Sequence, residues 1–148
     1  MKKTLFKMLA GMMAILMIFA MAACNAPAET PEENVVEPVE TEAEIAVKEY
    51  VEAANLLVNE AYGEDQSFEI KLEARGTAIV YVFTSKEFDN LSDEDLALMK
   101  SVLDGEIEKQ KDTFATNLKE VQSEEPNVSA IVLEYYDKSG KLITSAEF

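Results

Sequence analysis

Residues Asn25–Glu44 hold seven glutamates and three prolines and no base. A segment with one sign of charge and few large apolar groups cannot bury enough surface to offset the entropy of ordering. Proline and self-repulsion keep such a chain extended, so its ~20 residues reach up to ~60 Å. Folding is thereby confined to the residues beyond it. Ile45–Phe148 is one domain's length, ~100 residues, and it must build a single core of marginal stability. The sequence therefore divides into residues 1–23, an acidic spacer over 24–44 and one domain over 45–148.

The stretch ahead of the spacer has three zones. Lys2, Lys3 and Lys7 give a basic start, Met8–Ala20 is apolar with Gly11 as its only break, and Met21, Ala22 and Ala23 precede Cys24. A charged start, an apolar run and small residues before a cut site make a secretory signal peptide. Because Leu5–Ala23 nearly reaches the ~20 residues that span a bilayer, an uncleaved anchor is the competing reading. Cys24 is the only cysteine, and the chain has no histidine. A Cys/His pair is thus ruled out, and no disulfide is available within the chain.

The run Met21-Ala22-Ala23-Cys24 resembles the lipobox of bacterial lipoproteins, with Met21 where leucine is commonest. The resemblance implies cleavage before Cys24, a diacylglyceryl group on its thiol and a place on the outer face of the cell membrane. Thiolates are strong nucleophiles, which suits thioether formation. Each buried acyl CH₂ contributes ~0.8 kcal/mol, so two or three chains anchor durably where one does not. The membrane is then a partner through lipid alone.

The formal net charge is −16. Removing the three lysines ahead of Cys24 takes it to −19, and seven of those charges sit in the spacer, leaving −12 for Ile45–Phe148. So acidic a domain is repelled by nucleic acid and by anionic lipid headgroups.

Within the domain, Glu44–Tyr62 reads as a helix, with an apolar stripe through Tyr50, Val51, Ala54, Leu57, Val58 and Ala61 and Gly63 at the C-terminal cap. Ser67–Glu73 alternates: Phe68, Ile70 and Leu72 oppose Glu69, Lys71 and Glu73, which predicts a strand with one wet face. A turn at Ala74–Gly76 leads to Thr77–Phe83, apolar on both sides and so the more central strand of a hairpin. Ser92 is an N-cap with Asp95 at the capping-box position, and Leu91 and Leu96 form a staple. A stripe from Leu96 through Met99, Leu103, Ile107, Phe114 and Leu118 to Val121 predicts one helix to about Gln122. Gly105 is the expected place for a kink or break, and Gln110–Lys111 interrupts the rhythm. Val128–Tyr136 and Leu142–Phe148 form a second hairpin about the Asp137–Gly140 turn. The fold class is α+β, in the order αββαββ, with a four-stranded sheet packed on helices. An unbroken second helix makes the strands it joins parallel, with a right-handed crossover; a break at Gly105 leaves them free to be antiparallel.

The two inner strands are apolar on both faces, and one helix layer covers one face. Ile79, Tyr81, Phe83, Ile131, Leu133 and Tyr135 therefore line either the core or an open contact face.

No catalytic group stands out, and neither a catalytic activity nor a cofactor is expected. Carboxylates are abundant, as glycoside hydrolysis needs, but no pair is marked as buried. The run from Glu87 to Asp95 offers oxygens at Asp89, Asn90, Asp93 and Asp95, yet counted from Asp89 the third and sixth positions are Leu91 and Glu94, so an EF-hand loop fails. Helix capping explains the same residues, with a non-standard cation site as the alternative. Asn127-Val128-Ser129 fits a glycosylation sequon.

The lipobox, the acidic spacer and the ending Ser129–Phe148, with its aromatic strand, Asp-Lys-Ser-Gly turn and Ser-Ala-Glu-Phe terminus, are similar to small lipoproteins of Gram-positive bacteria whose domain is of unknown function. The resemblance implies a membrane-anchored extracellular domain that acts by binding an unidentified protein or small molecule. The element order also resembles PepSY-type extracellular inhibitor domains, which makes a secreted envelope regulator or peptidase inhibitor the second expectation.

Overall fold

The computed structural model describes residues 40–61 and 67–148. The signal stretch, Cys24, the spacer as far as Val39, and the Tyr62–Gly63 helix end lie outside the described residues. The elements run α1 (Glu42–Ala61), β1 (Phe68–Arg75), β2 (Ala78–Ser85), α2 (Asp93–Lys109), α3 (Lys111–Glu124), β3 (Ala130–Tyr136) and β4 (Leu142–Glu147). Among the described residues the fold is α+β, with three helices on a four-stranded mixed sheet of order β1-β2-β3-β4.

Helix α1 starts ahead of the expected Glu44 because Thr41 caps it. The Thr41 N–H donates to Glu44 Oε2 at 2.7 Å, and the Glu44 N–H donates to Thr41 Oγ1 at 3.3 Å. This reciprocal box satisfies two orphan donors of the first turn. The Ser92 cap of α2 is the expected one: its hydroxyl accepts from the Asp95 N–H and donates to Asp95 Oδ2.

The long helix is two helices, and the break is at Gln110, where the apolar rhythm falters, rather than at Gly105. Gln110 has φ −102° and ψ 5°, and its N–H donates to Ile107 and Glu108 carbonyls. Gly105 lies inside α2, where a Cβ would meet nothing within 4 Å. The element order is thus αββααββ. The break does not reverse the chain, because β2 and β3 are still parallel, pairing Ile79 with Ile131 and Phe83 with Tyr135.

Both hairpins are antiparallel. In the first, Arg75 pairs with Ala78, so the strand runs two residues past Glu73 and the connection is Gly76-Thr77, with Gly76 at φ 59°. In the second, Gly140 takes φ 85°. Asp137 organises that turn from a buried position: its Oδ1 accepts from the N–H groups of Ser139 and Lys141, both at 2.9 Å, and from the Ser139 hydroxyl at 2.6 Å. The Lys138 N–H also donates to the Phe88 carbonyl at 2.7 Å, tying the turn to the β2–α2 loop.

One core joins the three helices to one face of the sheet. Val47, Val51, Ala54 and Val58 of α1, Met99, Leu103 and Ile107 of α2, and Val121 of α3 meet Ile70, Leu72, Ile143 and the inward set of β2 and β3. Phe83 and Tyr135 stack at 4.5 Å, with Phe68 edge-on to both. The C-terminus closes the layer: Phe148 exchanges backbone hydrogen bonds with Ile131 and stacks on Phe114 at 4.7 Å.

Candidate functional site

Ile79, Tyr81, Phe83, Ile131, Leu133 and Tyr135 are between 0% and 5% exposed and belong to that core. They are not an open contact face in this structure. The reason is the register of the first hairpin. Phe83 pairs with Ile70 and Tyr81 with Leu72, and paired residues share a face. The wet alternation of β1 therefore fixes which apolar set of β2 is covered.

The opposite face carries the smaller set, Ala78, Val80 and Val82 of β2 with Ala130 and Val132 of β3, and among the described residues no helix packs on it. A polar lattice crosses it instead. Arg75 on β1 reaches over β2 to Glu134 on β3, Nη1 to Oε1 at 2.6 Å and Nη2 to Oε2 at 2.8 Å. Val80 lies between them and is 1% exposed. Arg75 Nη2 also meets Glu73 at 3.0 Å, Lys71 meets Glu73 at 3.0 Å, and the Tyr136 hydroxyl donates to Glu134 at 2.8 Å. The Arg75 hydrogen bonds hold the Glu134 carboxyl below its usual range, and Lys71 followed by Arg75 does the same for Glu73. Two parallel N–H···O bonds make Arg75–Glu134 a specific pair, and it binds the first hairpin to the second.

At the edge of the sheet, α1 and β1 enclose a groove of about 450 Å³, within the range of ligand sites. Val51, Leu72 and Ala74 are its apolar lining, Val51 and Leu72 being almost fully buried, and Glu44 and Glu52 line it from the helix. Asn55 closes one end. Its Nδ2 donates to the Leu72 carbonyl and its Oδ1 accepts from the Leu72 N–H, both at 2.8 Å. Those backbone groups point away from β2, toward the free edge. Alternation turns the N–H and C=O of Ala74 the same way. At the other end, Glu44 Oε1 lies 3.6 Å from where a Gly76 Cβ would stand.

The acidic loop before α2 is engaged in local structure. Asn90 has φ 51° and donates from Nδ2 to Asp89, Asp95 pairs with Ser92, and Asp93 pairs with Lys141 at 3.3 Å. Among the described residues no group of three or more cysteine, aspartate or glutamate side chains is arranged to hold a metal. Lys100, Asp104 and Thr144 form a second polar cluster. The buried Thr144 hydroxyl donates to Asp104 at 2.5 Å and accepts from Lys100 at 3.1 Å. Lys100, then Thr144, lowers the Asp104 carboxyl below its usual value. A carboxylate so stabilised is a poor base, and the cluster fastens α2 to β4.

Residues 39–148 match a family described as a domain of unknown function, DUF4854. The chain belongs to that family. The DUF4854 match opens two residues before the Thr41 cap and ends on the last residue, so it coincides with the α+β unit and includes the groove and the lattice. No curated protein and no solved structure matches the chain. The sequence alone does not single out Asn55, Arg75 or Glu134. Arg75 and Glu134 are 59 positions apart, and only the parallel register of β2 and β3 brings them together.

Proposed function

We propose that this DUF4854 chain is an extracytoplasmic lipoprotein, tied to the outer face of a cell membrane through lipid on Cys24, whose domain works by binding. The observation that carries the anchor is the arrangement around Cys24: the only cysteine, immediately after an apolar run and two alanines, and immediately before the acidic spacer. The Thr41–Glu44 box supports the division of labour, because α1 is capped three residues after Pro38, the last proline of the spacer. The groove between α1 and β1 supports binding, since it joins an apolar lining to backbone groups at a sheet edge. Among the described residues no helix is long and apolar enough to cross a membrane.

The test is metabolic labelling with palmitate in cells that express the full chain. Label is expected on the wild type and absent from Cys24→Ala, and a lipoprotein signal peptidase inhibitor is expected to leave a larger precursor. Equal labelling of Cys24→Ala refutes the anchor.

A further inference from the structure

We infer that the groove between α1 and β1 is a strand-addition site for an extended, basic peptide. The inference rests on the reading that the domain acts by binding, and it names the ligand class.

Three observations converge on it. First, β1 is an edge strand of the sheet, and its edge presents backbone groups inside a groove walled by a helix. An extended peptide laid between an edge strand and a helix gains main-chain hydrogen bonds from the strand and side-chain contacts from the helix. Second, the site already holds a piece of such a ligand. The Asn55 carboxamide sits on the Leu72 N–H and C=O at 2.8 Å each, as the amide of an added strand would. Asparagine is a poor residue for the middle of a helix, so its place in α1 is best explained by that contact. Past Asn55 the edge continues through Ala74 to Gly76, and no described residue bonds the Ala74 N–H or C=O. With the Leu72 groups taken by Asn55, the open edge runs from Ala74 to Gly76, which at ~3.3 Å per residue takes about two or three residues of added strand.

Third, the charge of the walls selects the peptide. Of the charged residues that line the groove, Glu40 pairs with Lys48 at 3.5 Å and Glu73 with Lys71 at 3.0 Å, which leaves Glu44 and Glu52 without a basic partner among the lining residues, and the domain as a whole is strongly acidic. A cationic ligand is drawn to such a surface and an anionic one repelled. Ala74, the half-buried apolar residue of the lining, leaves room for a small or β-branched side chain beside it. Alternating basic and aliphatic residues meet both demands.

The experiment is a titration of the full chain with acetyl-Lys-Val-Lys-Val-Lys-amide, followed by backbone amide shifts. Saturable shifts are expected at Leu72, Ala74 and Gly76 and along the first half of α1. Acetyl-Glu-Val-Glu-Val-Glu-amide is expected to produce none, and the basic peptide N-methylated at alternate amides is expected to bind at least tenfold more weakly. Ala74→Pro removes one edge N–H without touching the β1–β2 ladder and is expected to weaken binding about tenfold. No saturable shift with 1 mM basic peptide overturns the inference. So does equal binding of the N-methylated probe, a result that does not depend on any variant folding. Equal binding of the acidic peptide overturns the charge selection. Cys24 labelling is untouched by each of these outcomes, so failure here is distinguishable from failure of the anchor.

Discussion

Leu133 and Val80 lie on adjoining inner strands, both nearly inaccessible, yet they face opposite sides of the sheet. Alternation alone separates the two sets, because β2 and β3 are apolar on both. What it leaves open is which set the helices cover. Pairing with β1 resolves this in the fold, since Phe83 and Tyr81 stand opposite Ile70 and Leu72; Ile, Tyr, Phe and Leu then fill the helix side, and Ala and Val suffice beneath the Arg75–Glu134 pair. Leu133→Ala is expected to cost about 2–5 kcal/mol, read from the denaturant midpoint at unchanged slope. Arg75→Ala is expected to cost about 1–2 kcal/mol, less than Leu133→Ala, because Arg75 is 48% exposed while the Glu134 it leaves unpaired is 13% exposed. A cost above that of Leu133→Ala would mean that the lattice, rather than the core, holds the hairpins together. Asp137→Ala should speed amide exchange at Ser139 and Lys141, whose N–H groups lose their acceptor. Asn55 is not legible in the sequence, since a polar residue in a helix ordinarily faces water, and Leu72 lies 17 positions away.

At the scale of elements, strands and helices follow the periodicities closely. Strict alternation places β1, two-sided apolar runs place β2 and β3, and the stripe from Leu96 to Val121 runs through both later helices. The boundaries depart for local reasons. Thr41-x-x-Glu44 is a capping-box signature hidden within the acidic spacer, and it starts α1 early. Gly105 is a helix-weakening residue by propensity, but open space around it and the packing of Met99, Leu103 and Ile107 keep α2 intact. Gly105→Ala should therefore stabilise the domain by about 0.5–1 kcal/mol, seen as a higher denaturant midpoint. A destabilised Gly105→Ala would show that the glycine serves a bend after all. The Gln110 break coincides with the one polar interruption of the stripe, a signal weaker than a glycine but better placed.

For the whole molecule, charge governs the response to pH. Hydrogen bonds or basic neighbours hold the carboxyls of Glu44, Glu73, Asp104, Glu134 and Asp137 below their ordinary values in the fold. A depressed carboxyl adds stability that is present above its unfolded pKa, about 4, and is lost as pH falls through the folded value. Excess negative charge works the other way, since partial protonation relieves self-repulsion. The urea midpoint should thus hold or rise from pH 7 to about pH 5 and fall steeply below pH 4. A steady decline from pH 7 downward would contradict this balance. The same charge leaves the domain with little attraction to the membrane surface to which the proposed anchor ties it, so attachment falls to Cys24. The most direct test is mass spectrometry of the mature protein's N-terminus, isolated from its own cells. The expected result is a chain that begins at Cys24 and carries the mass of a diacylglyceryl group there. A chain that retains Met1–Ala23, or one with a free thiol at Cys24, would contradict the anchor.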